Sequence, residues 1–238
     1  MTRVTRTKRT LLALGIALLI VSFGCMVLFS ESLNIKAKPA NLIHVACIGD
    51  SITAGSGYPV HLQAMLGDCY EVGNFGATGS SVLLNSDTPY MKQSAFQEAK
   101  AFQPSIAVIM MGTNDAHEAT YESIESFQAD YKKLISAYQE LESNPQIWLV
   151  TPPPIFENEL DLSTMTLEQG VVLQIKQIAD ELDLPMIDVN KALINYPEYF
   201  GDGVHPNSEG AMLIACEINQ AITLNGVTDT TPYMQHIF

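Results

Sequence analysis

Two short segments of this 238-residue chain contain residue types that could together perform nucleophilic catalysis. Ser51 lies within residues 49–53, Gly-Asp-Ser-Ile-Thr, directly after a short apolar run, and its hydroxyl could attack a carbonyl carbon. Asp202 and His205 lie three residues apart, in the sequence Asp-Gly-Val-His-Pro-Asn. A serine nucleophile needs a base that accepts its proton and a carboxylate that fixes the tautomer of that base. These residue types therefore predict acyl transfer, provided that the fold brings the two segments together.

Each segment also has an ordinary structural explanation when it is taken alone. Gly-Asp-Ser is a common turn composition, because all three residue types favour turns. His205 could be a residue at the start of a helix, with Asn207 or Ser208 as the N-cap. That explanation accounts for Asn207 but leaves Asp202 without a reason.

Two further segments could stabilise the charge that develops during acyl transfer. A tetrahedral intermediate carries an oxyanion, which needs hydrogen-bond donors. Residues 74–79, Asn-Phe-Gly-Ala-Thr-Gly, and residues 112–115, Gly-Thr-Asn-Asp, each follow a predicted strand. A glycine amide from the first and an asparagine side chain from the second could donate, together with the amide of Ser51.

The elements that must position these segments alternate along the chain. Short apolar runs predict strands, and amphipathic spacing predicts helices. The predicted strands are 43–48, 71–74, 106–111, 147–150 and 186–189, and the predicted helices are 58–66, 91–102, 121–141, 167–182 and 208–224. This alternation predicts one three-layer α/β domain with a mainly parallel sheet and right-handed crossovers. In such folds the site lies beyond the carboxyl ends of the strands, where the four segments fall.

In this order the four segments resemble the SGNH (GDSL-type) hydrolase superfamily. The resemblance covers residues 41–224 and rests on Gly-Asp-Ser near the start, Gly-x-Asn-Asp in the middle and Asp-x-x-His-Pro-Asn near the end. It implies a flavodoxin-like fold with a five-stranded, mainly parallel sheet. It also implies that Ser51 is the nucleophile, His205 the general base and Asp202 its orienting acid.

The resemblance further implies an oxyanion hole made by the Ser51 amide, Gly79 and Asn114. Gly79 is chosen over Gly76 because it lies five residues after Asn74, the position that matches the motif of the family. The reaction implied is cofactor-free hydrolysis of a carboxylic ester. We expect no metal, because the histidines outside the motif show no metal-ligand spacing.

Two other segments resemble bacterial sialate or xylan O-acetylesterases. They are Pro-Pro-Pro at residues 152–154 and Tyr90 within Asp-Thr-Pro-Tyr. The expected substrate is therefore a small-molecule or glycan acyl ester with a short acyl group, most plainly acetyl. A lysophospholipase or thioesterase of the same superfamily is one alternative, and a glycan-binding module without turnover is another. Four aromatic side chains near the expected cleft could stack on a sugar ring: Tyr58, Tyr90, Tyr121 and Phe156.

Charge and hydropathy separate the N-terminal residues from the rest of the chain. Four cations among the first nine residues precede an uncharged stretch at 11–29, which is long enough to cross a bilayer. Residues 1–30 are therefore predicted to be a signal anchor or signal peptide, and residues 31–41 a linker. The hydrolase domain, residues 42–224, should lie outside the cytoplasm, either anchored to the membrane or secreted after cleavage. Residues 225–238 are a tail to which the sequence assigns no role. The sequence as a whole does not indicate an oligomeric state.

The acidity of the body excludes nucleic acid as a partner. Residues 42–238 carry six lysines against 25 Asp and Glu, a net charge of −19, and no arginine. Such a surface repels phosphate backbones. The three cysteines of the body, Cys47, Cys69 and Cys216, allow at most one internal disulfide; buried thiols are expected at Cys47 and Cys216.

Overall fold

The computed structural model describes residues 42–117 and 124–225. The predicted N-terminal membrane segment and linker lie outside the described residues, as do residues 226–238 of the tail. Within the described ranges, no helix is both long enough and apolar enough to span a membrane.

Five strands form a single sheet in which every neighbouring pair is parallel. The strands are β1 (Ile43–Gly49), β2 (Tyr70–Gly76), β3 (Ile106–Met110), β4 (Gln146–Val150) and β5 (Met186–Ile187). Their order across the sheet is β2-β1-β3-β4-β5. This is the doubly wound flavodoxin-like order, so the predicted five-stranded parallel sheet is confirmed.

Seven α-helices lie between and after the strands of the described chain. They are α1 (Ser51–Gly55), α2 (Tyr58–Leu66), α3 (Ser94–Ala101), α4 (Ile124–Gln139), α5 (Leu173–Leu182), α6 (Val189–Leu193) and α7 (Ser208–Asn225). A π-helical segment, Thr166–Val172, runs directly into α5, and short 3₁₀ turns lie at Tyr90–Lys92, Asn114–Ala116 and Pro197–Tyr199.

The helices cover both faces of the sheet, because side chains of a strand alternate between its two faces. On β1, Ala46 and Ile48 pack in one cluster with residues of α3, α4 and α5. Val45 and Cys47 pack in the other cluster with residues of α2, α6 and α7. The central strands β1, β3 and β4 are therefore covered on both sides, which confirms the predicted three layers and explains why these strands have continuous apolar sequences.

Two details of the predicted elements are wrong at the edge of the sheet and near the site. The run 186–189 is apolar apart from Asp188, but the strand ends at Ile187, because the Asp188 side chain accepts a hydrogen bond from the Lys191 N–H and caps α6. The predicted helix 91–102 is interrupted at Gln93, where the backbone is extended, so that a 3₁₀ turn precedes α3.

The cysteines of the described chain are free thiols. Cys47 is buried in β1, as predicted, and burial raises the pKa of its thiol to about 12. Cys216 is exposed, so the prediction that this thiol is buried is wrong. The reason is that α7 is amphipathic and Cys216 lies beside its buried stripe, next to Ala215.

Candidate active site

Ser51 lies at the carboxyl end of a central strand. It is the first residue of α1 and follows β1 after a single residue, Asp50. The Asp50 side chain accepts a hydrogen bond of 2.9 Å from the Ile52 N–H, which starts the helix at this point. Because β1 lies where the strand order reverses, Ser51 sits at the crevice in which open α/β sheets bind ligands.

Ser51, His205 and Asp202 form one chain of hydrogen bonds across 154 residues of sequence. The Oγ of Ser51 is 2.9 Å from Nε2 of His205, and Nδ1 of the same ring is 2.7 Å from Oδ2 of Asp202. The distances are short enough for proton transfer from the hydroxyl to the ring. The structure thus brings together the three residues that the motifs selected.

The other oxygen of Asp202 holds the loop before α7 in shape. Its Oδ1 accepts hydrogen bonds from the Val204 N–H at 2.9 Å and the His205 N–H at 2.7 Å. Partial burial raises the pKa of Asp202, but the His205 backbone and ring and the Val204 N–H together lower that pKa to about 2. Asp202 is therefore a carboxylate at neutral pH, able to accept the Nδ1 proton of His205.

The helix start that this segment also predicted is present, and one of the two candidate N-cap residues caps it. Oδ1 of Asn207 accepts a hydrogen bond of 3.0 Å from the Gly210 N–H, so Asn207 caps α7. His205 is left free of that task and points at Ser51.

Gly79 and Asn114 line the same pocket as Ser51 and His205. One hydrogen of the Asn114 amide is used on the carbonyl oxygen of Ser80, 2.9 Å away, which fixes the amide and leaves its second hydrogen for another acceptor. Gly79 has φ of +72°, a left-handed conformation that favours glycine.

Two buried carboxylates hold the segment that follows Gly79. Asp115 accepts hydrogen bonds from the N–H groups of Val82 (2.9 Å) and Leu83 (3.0 Å), and Asp130 of α4 accepts from the Leu84 N–H (2.9 Å). Burial raises the pKa of Asp115 to about 7, despite the two N–H donors that lower it. Asp115 therefore braces the loop that follows Gly79.

The pocket beside Ser51 has a volume of about 380 Å³ and walls of two kinds. One wall is polar and includes Ser86, Asp87 and Thr88. The other contains three apolar side chains, namely Leu160, Leu162 and Val204. Motif matching missed Leu160 and Leu162, since they belong to a loop with no motif of its own, whereas Val204 lies within the segment that contains Asp202 and His205.

Three of the four side chains predicted to stack on a sugar ring are not among the residues that line the pocket. Tyr58 and Tyr90 are fully buried, and the Tyr90 hydroxyl donates a hydrogen bond of 2.7 Å to the Phe75 carbonyl oxygen. Phe156 packs against the Phe200 ring, with centroids 5.2 Å apart, and Tyr121 lies outside the described residues. For Tyr58 and Tyr90 the prediction is wrong, because their rings complete the core below the cleft.

No three His, Cys, Asp or Glu side chains among residues 42–117 and 124–225 are arranged so that they could hold a metal ion.

Both the sequence and the fold of this chain are similar to those of known acylhydrolases and esterases. Residues 47–213 match the model of the GDSL-like lipase/acylhydrolase family. An acetylxylan esterase of Xylanibacter ruminicola is 32% identical over 215 residues, which cover 79% of this chain and 45% of the relative. The chain therefore spans less than half the length of that relative.

Solved structures share the fold at lower identity. A carbohydrate acetylesterase from Sinorhizobium meliloti superposes with a TM-score of 0.64 at 17% identity, covering 77% of this chain and 99% of the other. An aryl esterase from M. smegmatis superposes with a TM-score of 0.62 at 16% identity, covering 77% and 98% of the two chains. The family match extends over more than half of the sequence and includes every motif residue named above. The chain belongs to the GDSL-like lipase/acylhydrolase family, as its motifs predicted.

Proposed function

We propose that this protein is a serine esterase that removes short acyl groups, chiefly acetyl, from carbohydrates. The observation that carries the proposal is the hydrogen-bonded chain from Ser51 through His205 to Asp202, which opens onto a pocket shared with Gly79 and Asn114. The name of the acetylxylan esterase relative supports a sugar ester as the substrate.

In the proposed reaction the Ser51 Oγ attacks the acyl carbonyl carbon while Nε2 of His205 takes the hydroxyl proton. The carbonyl oxygen becomes an oxyanion, which accepts hydrogen bonds from the N–H groups of Ser51 and Gly79 and from the Asn114 amide. The C–O bond to the sugar then breaks, and His205 gives the proton to the departing alcohol. Water repeats the sequence on the acyl-serine and releases the carboxylic acid. Every atom and proton is supplied by substrate, water and these residues, so the reaction uses no cofactor.

Acyl length gives a direct test of the proposed substrate. We expect kcat/KM to be highest for an acetyl ester and to fall steadily through butyryl to octanoyl. Burying each methylene contributes about 0.8 kcal/mol, but only where apolar surface is available to cover it. The lining of the pocket includes the apolar side chains Leu160, Leu162 and Val204 together with polar groups. The p-nitrophenyl esters of the three acids, assayed on purified protein, measure this series.

The opposite order would favour the lipase-like alternative. Three apolar side chains on one wall are the specific observation in its favour, since a long acyl chain needs such a wall. If octanoyl were the best substrate, the carbohydrate-esterase proposal would be wrong, and the chain would act as a lysophospholipase or thioesterase. If none of the three esters were hydrolysed, the result would instead support the alternative that the protein is a glycan-binding module without turnover.

Asn114 gives a second test, directed at the oxyanion. We expect Asn114→Ala to lower kcat by about 10²–10³-fold and to change KM little, because the oxyanion exists only after substrate has bound. Asn195→Ala, at an exposed position after α6, is the matched control and should keep full activity. Steady-state kinetics of a folded Asn114→Ala protein with unchanged kcat would assign this side chain to loop bracing alone.

We propose in addition that the esterase works outside the cytoplasm. The support is the sequence of residues 1–30, in which four cations precede the apolar stretch at 11–29. A retained anchor and a cleaved signal peptide both give this location.

A further inference from the structure

One loop, residues 155–163, contacts both halves of the candidate site. At its start the Phe156 N–H donates a hydrogen bond of 2.7 Å to the carbonyl oxygen of Gly203, two residues before His205. At its end the Ser163 N–H donates a hydrogen bond of 3.0 Å to the carbonyl oxygen of Ala116, two residues after Asn114. The contact at Gly203 is close: a Cβ added there would lie 2.1 Å from the Glu157 carbonyl oxygen. The 155–163 loop therefore spans the pocket from the base to the oxyanion side.

Asn158 holds this loop in shape with its side-chain amide. Nδ2 of Asn158 donates to the carbonyl oxygens of Phe156 (2.8 Å) and Leu162 (3.1 Å). Oδ1 accepts from the N–H groups of Leu160 (3.0 Å) and Leu162 (3.3 Å). Both donors and both lone pairs of the amide are thus used within one loop.

These four hydrogen bonds fix the residues that form the apolar wall of the pocket. Leu160 and Leu162 both line the pocket beside Ser51, and both are attached to Asn158 through their backbone. The Leu160 side chain is 49% exposed, so it has little packing of its own to hold it in place. Its position depends on the backbone that Asn158 restrains.

We propose that Asn158 is a positioning residue for substrate binding, acting through Leu160 and Leu162. The inference rests on the proposed esterase function and extends it to the residues that hold substrate. Asn158 touches none of the reacting groups: Asp202 and His205 are held by their own hydrogen bonds, to each other and to the Val204 N–H. Its effect should therefore fall on ground-state binding, which appears in KM, and not on the chemical step.

Two substitutions of Asn158 separate the contribution of its hydrogen-bond donors from that of its acceptors. Asn158→Ala removes all four hydrogen bonds. Asn158→Asp keeps the shape and the acceptors but places a carboxylate against the carbonyl oxygens of Phe156 and Leu162. We expect each variant to raise KM for p-nitrophenyl acetate by ~5- to 10-fold, about the value of contact with half of a leucine side chain, with kcat within ~3-fold of the parent.

A double-mutant cycle tests whether Asn158 acts through Leu160. Leu160→Ala changes a half-exposed side chain and should raise KM by a similar factor without affecting the fold. If the proposal is right, Asn158→Ala combined with Leu160→Ala raises KM by clearly less than the product of the two single effects. Leu173→Ala, 46% exposed and away from the pocket, is the matched control and should leave KM unchanged.

The outcomes separate this inference from the proposed function. If the parent protein hydrolyses p-nitrophenyl acetate but the Asn158 variants keep its KM, the positioning role is wrong and the esterase function stands. Effects that multiply in the cycle, or a loss confined to kcat, would likewise overturn the role. A parent protein with no activity on any ester would overturn both proposals together.

Discussion

Ser51→Ala is expected to lower kcat by about 10⁶-fold, and His205→Ala by about the same factor. Without the Oγ there is no nucleophile, and without the ring nothing accepts the proton that Oγ must lose. The 2.9 Å hydrogen bond between Oγ and Nε2 makes the two residues act as one catalytic unit, so removal of either one removes the function of both. The expected residual rate comes from the oxyanion donors and from substrate binding.

The double variant distinguishes this mechanism from two independent contributions. Ser51→Ala combined with His205→Ala should be little slower than either single variant in a p-nitrophenyl acetate assay. Ser94→Ala, exposed at the start of α3, and His61→Ala, on α2, are matched controls that should keep the parent rate. A Ser51→Ala protein that retained a substantial fraction of parent kcat would exclude Ser51 as the nucleophile.

Asp202→Asn is expected to lower kcat by about 10⁴-fold through the tautomer of His205. Oδ1 of residue 202 is held by the N–H groups of Val204 and His205, so an asparagine would keep its oxygen there. Its NH₂ group would then occupy the place of Oδ2, 2.7 Å from Nδ1 of His205. An NH₂ donor at that point requires an unprotonated Nδ1, so the ring proton moves to Nε2, where it faces Ser51 and blocks proton acceptance.

This expectation is measured as kcat of a folded Asp202→Asn protein at neutral pH. The substitution keeps the size of the side chain and both loop hydrogen bonds, so the thermal midpoint should change little. Asp180→Asn, exposed on α5, controls for the loss of one negative charge. If Asp202→Asn kept parent activity, another group would have to orient His205.

The central strands of the sheet were predictable because they are buried on both faces. A strand covered by helices on both sides contains an uninterrupted apolar run, and such runs predicted β1, β3 and β4 to within one residue at each end. The exception at 186–189 is instructive. Apolar residues continue to Val189, but one carboxylate side chain, that of Asp188, captures the Lys191 N–H and turns the backbone into α6. Local capping here outweighed the apolar pattern.

The catalytic candidates were predictable from their motifs, whereas the walls of the pocket were not. Ser51, Asp202, His205 and Asn114 stand in short motifs that follow strands or precede a helix, and the structure places them around one pocket. Leu160 reaches the same pocket from a loop whose shape depends on the side-chain amide of Asn158. The Asn158 amide makes only local hydrogen bonds. The position of the loop relative to the pocket depends on contacts that are distant in sequence, namely those of the loop with Gly203 and Ala116. Tyr58 and Tyr90 were misjudged for the same reason, since nothing in the local sequence shows that their rings point inward.

Four hydrogen bonds, here called the clamp, hold the segment from Val82 to Leu84 and the base of its loop. They have a consequence for how the substrate specificity of this enzyme could be changed. Asp115 and Asp130 fix three successive N–H groups, and the base of the loop is closed by the Ser81 N–H on the Thr88 carbonyl oxygen (3.0 Å). Ser86 and Asp87 lie between these fixed points and line the pocket, and the four hydrogen bonds of the clamp are made by residues on either side of them. Insertions or exchanges at this tip would therefore alter which alcohol fits beside Ser51 while the oxyanion donors stay in place. Natural or laboratory selection can therefore change the substrate specificity of such an enzyme without altering its catalytic residues.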